Sequence, residues 1–283
     1  MSKSAGVVGL FQDVGIPREL AEEKFAKAGF QSRWLVTAED EAAFAGDESA
    51  SASDVVALVT VNRPVTADVL ARFPNLKVLV VAFTGYGVHD LDACAAAGVA
   101  VYNVPDYSSN SVAELAIGLT LAVYREIPAG DAAIRAKLPW AISTGGTELR
   151  GKVVGIYGTG AIGLQTARLF RAFGCKLIGF SRTQRDEFIN DLEGKYVNRE
   201  EFFSTADIVS VHVPFNKDTA KSIGDADLRR LKPSAVFINT ARGGVIDEDA
   251  LAACLKENRF RAGLDVFAKE PVRCCLLHSC MRA

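Results

Sequence analysis

Short apolar runs alternate with amphipathic, helix-like segments along nearly the whole chain. In the first part the candidate strands are VVGLF, VVALVTV, KVLVVAF and VAVYNVP, and the helix-like segments between them include ELAEEKFAKAG and ADVLARF. The polar run DESASASD predicts a loop. Strands that alternate with helices favour a parallel sheet, because each helix returns the chain to the same end of the sheet.

A second series of the same kind begins at Gly151, with the runs KVVGIYG, KLIGF, ADIVSVHVP, AVFINT and RAGLDVF. The segment SVAELAIGLTLAVYREI separates the two series. Ser111 and Glu114 have the spacing of a capping box, which predicts a helix start at Ser111. The body of this helix is apolar nearly all round, which predicts burial on several sides, between domains or between subunits. Two series joined by a buried helix predict two domains with a cleft between them.

A glycine-rich loop opens the second series. The GxGxxG spacing is common on its own, but here it follows a strand at residues 153–157 and begins a helix that ends at Gly174. That context is typical of a loop that binds a pyrophosphate with the amides of a helix N-terminus. The alternative is a tight turn without a ligand. The predicted binding residues are Gly158, Gly160, Ala161, Ile162 and Gly163.

The next strand, KLIGF, ends in Ser181, Arg182 and Thr183, with Arg185 close by. A carboxylate at this point would bind the ribose 2′-hydroxyl of NAD, whereas an arginine can bind a 2′-phosphate. These four residues therefore predict a preference for NADP(H), with NAD(H) as the second choice. The alternative is a solvated surface arginine.

Composition narrows the class of protein. The 283 residues are 49% hydrophobic and 23% charged, with a net charge of −2, so we expect a sizeable core and no nucleic-acid-binding surface. No apolar stretch is long enough to cross a bilayer, and the N-terminus does not resemble a signal peptide. Cys94, Cys175 and Cys254 lie in apolar segments, which indicates buried thiols in a reducing compartment. We therefore expect a cytoplasmic protein that makes no membrane contact.

Six stretches carry a family resemblance: TGYGVHDLD, NVPDYSSNSVAELAIGLTLAVYREI, GTELRGKVVGIYGTGAIG, ADIVSVHVPFNKDT, LKPSAVFINTARGGVIDEDAL and GLDVFAKEP. In order and spacing they resemble the D-isomer-specific 2-hydroxyacid dehydrogenases between Val78 and Pro271. The SRT ending looks more like the NADPH-using glyoxylate and hydroxypyruvate reductases than the NAD-linked D-lactate or 3-phosphoglycerate enzymes. The resemblance implies an α/β fold with two Rossmann-like or flavodoxin-like domains, parallel sheets and an interdomain cleft.

The resemblance also implies a division of the chain and its assembly. Residues 1–106 would form the substrate-binding domain, without the final helix that in the family returns to it. Residues 107–271 would form the dinucleotide-binding domain, and residues 272–283 an atypical tail. The helix from Ser111 resembles the family's subunit-exchange surface, which predicts a homodimer.

The implied reaction is hydride transfer between the nicotinamide and C2 of a small 2-oxo or 2-hydroxy acid. Thr84 and Gly85 match the loop that binds the substrate carboxylate, and Arg242 matches the catalytic arginine, whose bidentate guanidinium grips that carboxylate. Glu270 matches the carboxylate that hydrogen-bonds the family's catalytic histidine. The remaining cofactor-binding residues implied by the resemblance are His212, Val213, Pro214, Thr240, Ala241 and Asp265.

These assignments have structural alternatives, and the sequence departs from the family at several points. An arginine after a strand is often a surface ion pair, and an acid near a strand end is often a cap or turn residue. His89 and Gly87 replace an aliphatic residue and an acid of the family's substrate loop. We interpret His89 as a packing or surface variant, not a base, and His212 as a residue that contributes its backbone.

The tail RCCLLHSCMRA lacks the PHxG-like turn that holds the family's general acid, and His278 does not match that motif. We expect that the family's pattern stops after Pro271, as a truncation, alternative splice or frameshift would produce. Adjacent cysteines at one chain end are a poor zinc site, so no metal is predicted. A second hypothesis is therefore a catalytically silent NAD(P)-binding module, since some relatives of this fold are transcriptional corepressors.

Overall fold

A computed structural model describes residues 6–45, 51–137 and 146–270. The chain divides into two compact units, Met1–Tyr107 (unit 1) and Ser108–Ala283 (unit 2). Each unit is an α/β structure built on a parallel sheet, which confirms the predicted fold class.

Unit 1 contains a five-stranded parallel sheet with the order β2-β1-β3-β4-β5. This order is that of the flavodoxin-like fold. The strands are β1 Val7–Leu10, β2 Gln31–Trp34, β3 Val55–Thr60, β4 Val78–Val81 and β5 Ala100–Asn103. The helices are α1 Arg18–Lys27, α2 Ala38–Ala45, α3 Ala67–Ala71 and α4 Leu91–Ala96.

Unit 2 contains a six-stranded parallel sheet with the order β11-β10-β9-β6-β7-β8, which is the Rossmann order. The strands are β6 Val153–Tyr157, β7 Lys176–Phe180, β8 Lys195–Tyr196, β9 Ile208–Val211, β10 Val236–Asn239 and β11 Arg261–Leu264. The helices are α5 Ser109–Tyr124, α6 Ile127–Arg135, α7 Ala161–Ala172, α8 Asp186–Asn190, α9 Arg199–Thr205, α10 Asp225–Leu228 and α11 Glu248–Lys256.

The centre of the unit 2 sheet is covered on both faces. Neighbouring strand residues point to opposite sides, so Ile156 packs into one apolar cluster with Phe170, while Tyr157 packs into the other with Phe202. All four residues of β9 and of β10 are buried. This double coverage explains why these strands appear in the sequence as unbroken apolar runs.

Helix α5 starts two residues earlier than predicted. It begins at Ser109, with Ser108 as its N-cap, and the first helical bond runs from the amide of Val112 to the carbonyl of Ser108 at 3.0 Å. No side chain caps this end, so the capping-box prediction at Ser111 is wrong. Within unit 2 the helix buries one face against α7, β10 and β11, while Leu115 on the other side is 39% exposed.

Two further sequence predictions have structural counterparts. Cys94, Cys175 and Cys254 are free and buried, as predicted. Gly174 follows α7 in the left-handed region, with a φ of 78°, which confirms the predicted end of that helix. In the described ranges of the chain, no helix combines the length and apolarity needed to cross a membrane.

Candidate functional site

The carboxyl ends of five strands of unit 2 are aligned. Tyr157 at the end of β6 pairs with Phe180 of β7 and Val211 of β9, and Asn239 of β10 pairs with Val211 and with Leu264 of β11. The residues that directly follow these ends include all the predicted cofactor residues: 158–163, 181–185, 212–214, 240–241 and 265. The strand order reverses between β6 and β9, which is where open α/β sheets bind ligands.

The three glycines of the loop after β6 differ in what surrounds the position of a side chain. Gly158 has a φ of 97°, and a Cβ there would lie 2.6 Å from Val213 Cγ1. A Cβ on Gly163 would lie 2.0 Å from the carbonyl oxygen of Gly158, so only glycine lets α7 approach β6 this closely. In contrast, a Cβ on Gly160 would have no described atom within 4 Å.

The open space above Gly160 is suited to an anion. Gly160 is the N-cap of α7, and the first intrahelical bond runs from the amide of Leu164 to the Gly160 carbonyl at 2.8 Å. The amides of residues 161–163 precede that bond and are the unpaired donors of the helix N-terminus. Together with the helix dipole they favour a phosphate group at this position. The residues present therefore fit the pyrophosphate of a dinucleotide.

The loop after β7 presents basic side chains to solvent. Arg182 and Arg185 are both exposed, and neither forms an ion pair with any other described residue. No carboxylate follows β7 until Asp186, the first residue of α8. The loop can therefore supply two guanidinium groups to a phosphate without first breaking an ion pair of its own.

Two hydroxyl groups link the glycine loop to this arginine loop. Thr159 Oγ1 lies 2.6 Å from the phenol oxygen of Tyr196 on β8, and that oxygen accepts a hydrogen bond from the amide of Arg185 at 3.0 Å. Thr159 Oγ1 also reaches the carbonyl of Thr183 at 3.4 Å. Sequence reasoning missed both Thr159 and Tyr196. Thr159 occupies a variable position of the glycine motif, and Tyr196 lies in a two-residue strand without any apolar pattern.

His212 follows β9 and is held by its backbone. Its amide donates to the carbonyl of Tyr157 at 2.8 Å, while its ring Nε2 lies 2.8 Å from Ser210 Oγ. Burial lowers the pKa of His212 to about 3, so the ring is neutral at pH 7 and supplies no proton there. The ring Nδ1 is buried and has no hydrogen-bond partner among the described residues.

The loop after β10 is shaped by Asn239, whose side chain is buried. Its Oδ1 accepts from the amide of Ala241 at 3.0 Å, and its Nδ2 donates to the carbonyl of Arg242 at 3.1 Å. Arg242 is half-buried, and its Nη1 donates to the carbonyl of Ala241 at 2.6 Å. The hydroxyl of Thr240 is buried without a hydrogen-bond partner in the described part of the chain. Its capacity to donate and accept a hydrogen bond is therefore unused within the described structure.

The loop after β11 packs directly on the Arg242 loop. A Cβ on Gly243 would lie 1.9 Å from the carbonyl carbon of Phe267, so glycine is required for this contact. The amide of Asp265 donates to the carbonyl of Asn239 at 3.0 Å, which joins the two strand ends. Glu270 is exposed, and its carboxylate accepts from the amide of Phe267 at 2.9 Å. In the described ranges Glu270 has no histidine partner and closes a local turn.

Unit 1 holds the predicted substrate loop after β4. Asn103 Nδ2 donates to the carbonyl of Thr84 at 2.9 Å, and Thr84 Oγ1 lies 3.4 Å from the carbonyl of Val104. Gly85 follows Thr84 in this loop. His89 is only 6% exposed, and its Nδ1 accepts from the amide of Val65 at 3.3 Å. Burial lowers the pKa of His89, so this ring is a neutral packing group.

The predicted tail, with His278 and its cysteines, lies outside the described residues. Between residues 6 and 270, where described, no three His, Cys, Asp or Glu side chains are grouped to hold a metal ion.

A Rossmann sheet with a glycine loop at its switch point defines unit 2 as a dinucleotide-binding domain of the kind that oxidoreductases use. The sequence profile of the D-isomer specific 2-hydroxyacid dehydrogenase NAD binding domain matches residues 117–279. The chain belongs to this family, as predicted, and its relatives are NAD(P)-dependent enzymes that act on CH–OH donors. The match extends beyond Pro271, where the sequence analysis placed the end of the family's pattern.

Three comparisons illustrate the relationship. The glyoxylate reductase of Thermococcus litoralis is 38% identical over 227 residues, which cover 77% of this chain and 69% of that protein. The D-3-phosphoglycerate dehydrogenase of Mycobacterium tuberculosis is 37% identical over 90% of this chain, but the chain spans only 48% of its length. The crystal structure of a glyoxylate reductase from Paecilomyes thermophila is 28% identical, covers 96% of this chain and 84% of its own, and has a TM-score of 0.82.

Proposed function

We propose that this chain transfers a hydride between NADP(H) and C2 of a small 2-oxo acid such as glyoxylate or hydroxypyruvate, giving a D-2-hydroxy acid. One observation carries the proposal: the glycine loop and the Arg242 loop follow strand ends that are in register on either side of β9. With neighbouring strands about 5 Å apart, these loops begin about 10 Å from each other. A single dinucleotide with its substrate can contact both.

Each side chain or amide would have a distinct task. The amides of residues 161–163 would bind the pyrophosphate, and Asp265 would orient the carboxamide of the nicotinamide. A bound dinucleotide would supply the hydride. Arg242 would bind the carboxylate of the oxo acid in a bidentate manner and polarise its carbonyl. In unit 1, the amides of Thr84 and Gly85 would bind a carboxylate.

The preference for NADP(H) over NAD(H) is part of the proposal. Its support is the arginine loop after β7, where Arg182 and Arg185 are exposed without ion pairs in the described structure and no acid replaces Ser181. A guanidinium attracts a 2′-phosphate, whereas a carboxylate in this position would repel it. We also propose a homodimer, on the similarity of α5 to the family's subunit-exchange surface. A single monomeric species in light scattering would contradict that assembly.

A second candidate is a catalytically silent nucleotide-binding module. The observation that favours it is that the Glu270 carboxylate accepts a hydrogen bond from the amide of Phe267 and, among the described residues, from no histidine. Among the described histidines, His212 is neutral at pH 7 and His89 is buried in unit 1. Without a positioned general acid, hydride transfer would be slower by about 10²- to 10⁴-fold.

NADPH oxidation with glyoxylate or hydroxypyruvate, measured beside thermal stabilisation by NADPH, separates the two candidates. Turnover that falls by roughly 10²-fold or more in Arg242→Lys, and not in the control Arg168→Lys, supports the dehydrogenase, because lysine cannot replace the bidentate contact. Arg168 is an exposed residue that pairs with Glu187. Stabilisation by NADPH without turnover would select the silent module. Absence of both effects would refute both candidates.

A further inference from the structure

We propose that Thr159 and Tyr196 form a positioning pair that sets the preference of this chain for a 2′-phosphorylated dinucleotide. The pair connects the glycine loop to the arginine loop, and neither residue needs to contact the ligand itself. This inference rests on the proposed function, because it presupposes that the two loops bind the pyrophosphate and the 2′-phosphate of one dinucleotide.

The hydrogen-bond chain has one direction that satisfies every group. The amide of Arg185 can only donate, so the Tyr196 oxygen is its acceptor. Tyr196 then donates its own proton to Thr159 Oγ1, 2.6 Å away. Thr159 in turn points its proton to the carbonyl of Thr183 at 3.4 Å, a long and therefore weaker bond. The two short bonds carry most of the restraint.

The phenol group is held at a fixed point by its surroundings. The Tyr196 ring packs on the buried ring of Phe188, with centroids 5.0 Å apart. A Cβ on Gly179 would lie 3.0 Å from Tyr196 Cε1, so the glycine in β7 makes room for this ring. Thr159 is only 1% exposed. Both hydroxyl groups are thus held by residues that pack against the sheet or lie buried in unit 2, whereas the loop that they contact is exposed.

Fixing the loop in advance favours binding of the phosphate. Ordering a flexible loop is opposed by the loss of conformational entropy, so a loop that is already ordered binds its ligand more tightly. Arg182 and Arg185 meet the 2′-phosphate, which NAD⁺ lacks. Release of the loop should therefore weaken NADP⁺ binding more than NAD⁺ binding, and leave the pyrophosphate contacts of residues 161–163 in place.

The test is isothermal titration of NADP⁺ and of NAD⁺ into the wild-type chain, Tyr196→Phe, Thr159→Val and the double variant. Tyr196→Phe removes both short hydrogen bonds, so Kd for NADP⁺ should rise by roughly 5-fold or more, while Kd for NAD⁺ should change by less than about 2-fold. The double variant should be no worse than Tyr196→Phe, since both changes break the same link. Hydrogen exchange of residues 181–187 in the ligand-free chain should become faster in the variants.

Tyr124→Phe is the matched control. The Tyr124 phenol donates to the carbonyl of Asp207 at 3.2 Å, at the amino end of β9 and therefore at the opposite edge of the same sheet. Its removal should leave the ratio of the two dissociation constants unchanged. If the wild-type chain showed no preference for NADP⁺, the proposed cofactor and this inference would both fail. If it preferred NADP⁺ and Tyr196→Phe kept the wild-type ratio, only the positioning pair would be refuted.

Discussion

Replacement of Gly160 by alanine should separate folding from nucleotide binding. Gly160 has φ and ψ of −74° and −170°, an extended conformation that alanine adopts without strain. A methyl group there would meet no described atom within 4 Å. Alanine is a poorer N-cap than glycine, which lowers the stability. It also reduces the conformational entropy of the unfolded chain, which raises the stability by about 0.4–1 kcal/mol. The two effects oppose each other, so we expect the free energy of unfolding to change by less than about 1 kcal/mol.

Binding should respond quite differently. The methyl group would occupy the space in which the pyrophosphate approaches the amides of residues 161–163. Overpacking a close contact by one methyl group is unfavourable by about 1–3 kcal/mol, which corresponds to a rise in Kd of roughly 5- to 150-fold. Isothermal titration with NADPH measures the change in Kd, and thermal melting without ligand measures the change in stability.

Gly163→Ala is the comparison variant in the same loop. Its Cβ would lie 2.0 Å from the backbone oxygen of Gly158, a contact that requires α7 or β6 to move. We expect destabilisation of about 1–3 kcal/mol or more, seen as a fall in Tm of about 2–12 °C without ligand. Binding of NADPH to Gly160→Ala with the wild-type Kd would contradict the role assigned to Gly160, as would melting of Gly160→Ala as early as Gly163→Ala.

Three further predictions concern single side chains of the described units. Burial lowers the pKa of His212 to about 3, so between pH 6.5 and 3 the ring takes up a proton only in the unfolded chain. Urea denaturation from about pH 7.5 to pH 5 should therefore show that the wild-type chain loses about 2 kcal/mol more stability than His212→Asn. Asn239→Leu leaves the amide of Ala241 and the carbonyl of Arg242 without their partner. Urea denaturation should show that the free energy of unfolding falls by about 1–3 kcal/mol, and an unchanged value would contradict the role of this side chain. In a variant with Cys274, Cys275 and Cys280 replaced by serine, no thiol should react with a thiol dye before the chain unfolds. The reason is that Cys94, Cys175 and Cys254 are buried, and burial raises the pKa of Cys175 to about 11. Fast labelling of the native variant would contradict that burial.

Much of the fold could be predicted because its physical causes are local. Strands such as β9 and β10 are covered on both faces, so every position is apolar and the run is visible in the sequence. The edge strand β2, with the sequence QSRW, was missed because its residues are exposed or only partly buried. The two-residue strand β8 is too short for any periodicity. These two edge strands carry little of the pattern that burial imposes.

The site was predictable to the extent that glycine and strand order determine it. Gly158 and Gly163 are required by backbone geometry, and parallel strands bring distant loops to one edge. The contacts of Tyr196 with Thr159 and of Asn239 with Arg242 depend on side-chain distances that no spacing in the sequence encodes. The start of α5 was placed wrongly because a capping box is only one of several ways to satisfy the first amides of a helix.

A nicotinamide dinucleotide should bind at the carboxyl edge of the unit 2 sheet. Hydrogen–deuterium exchange with and without saturating NADPH locates its contacts along the chain. We expect slower exchange in the peptides that contain residues 158–164, 181–185 and 240–244, with little change at the amino ends of the same strands. Slower exchange confined to those amino ends, or no change at all, would contradict it.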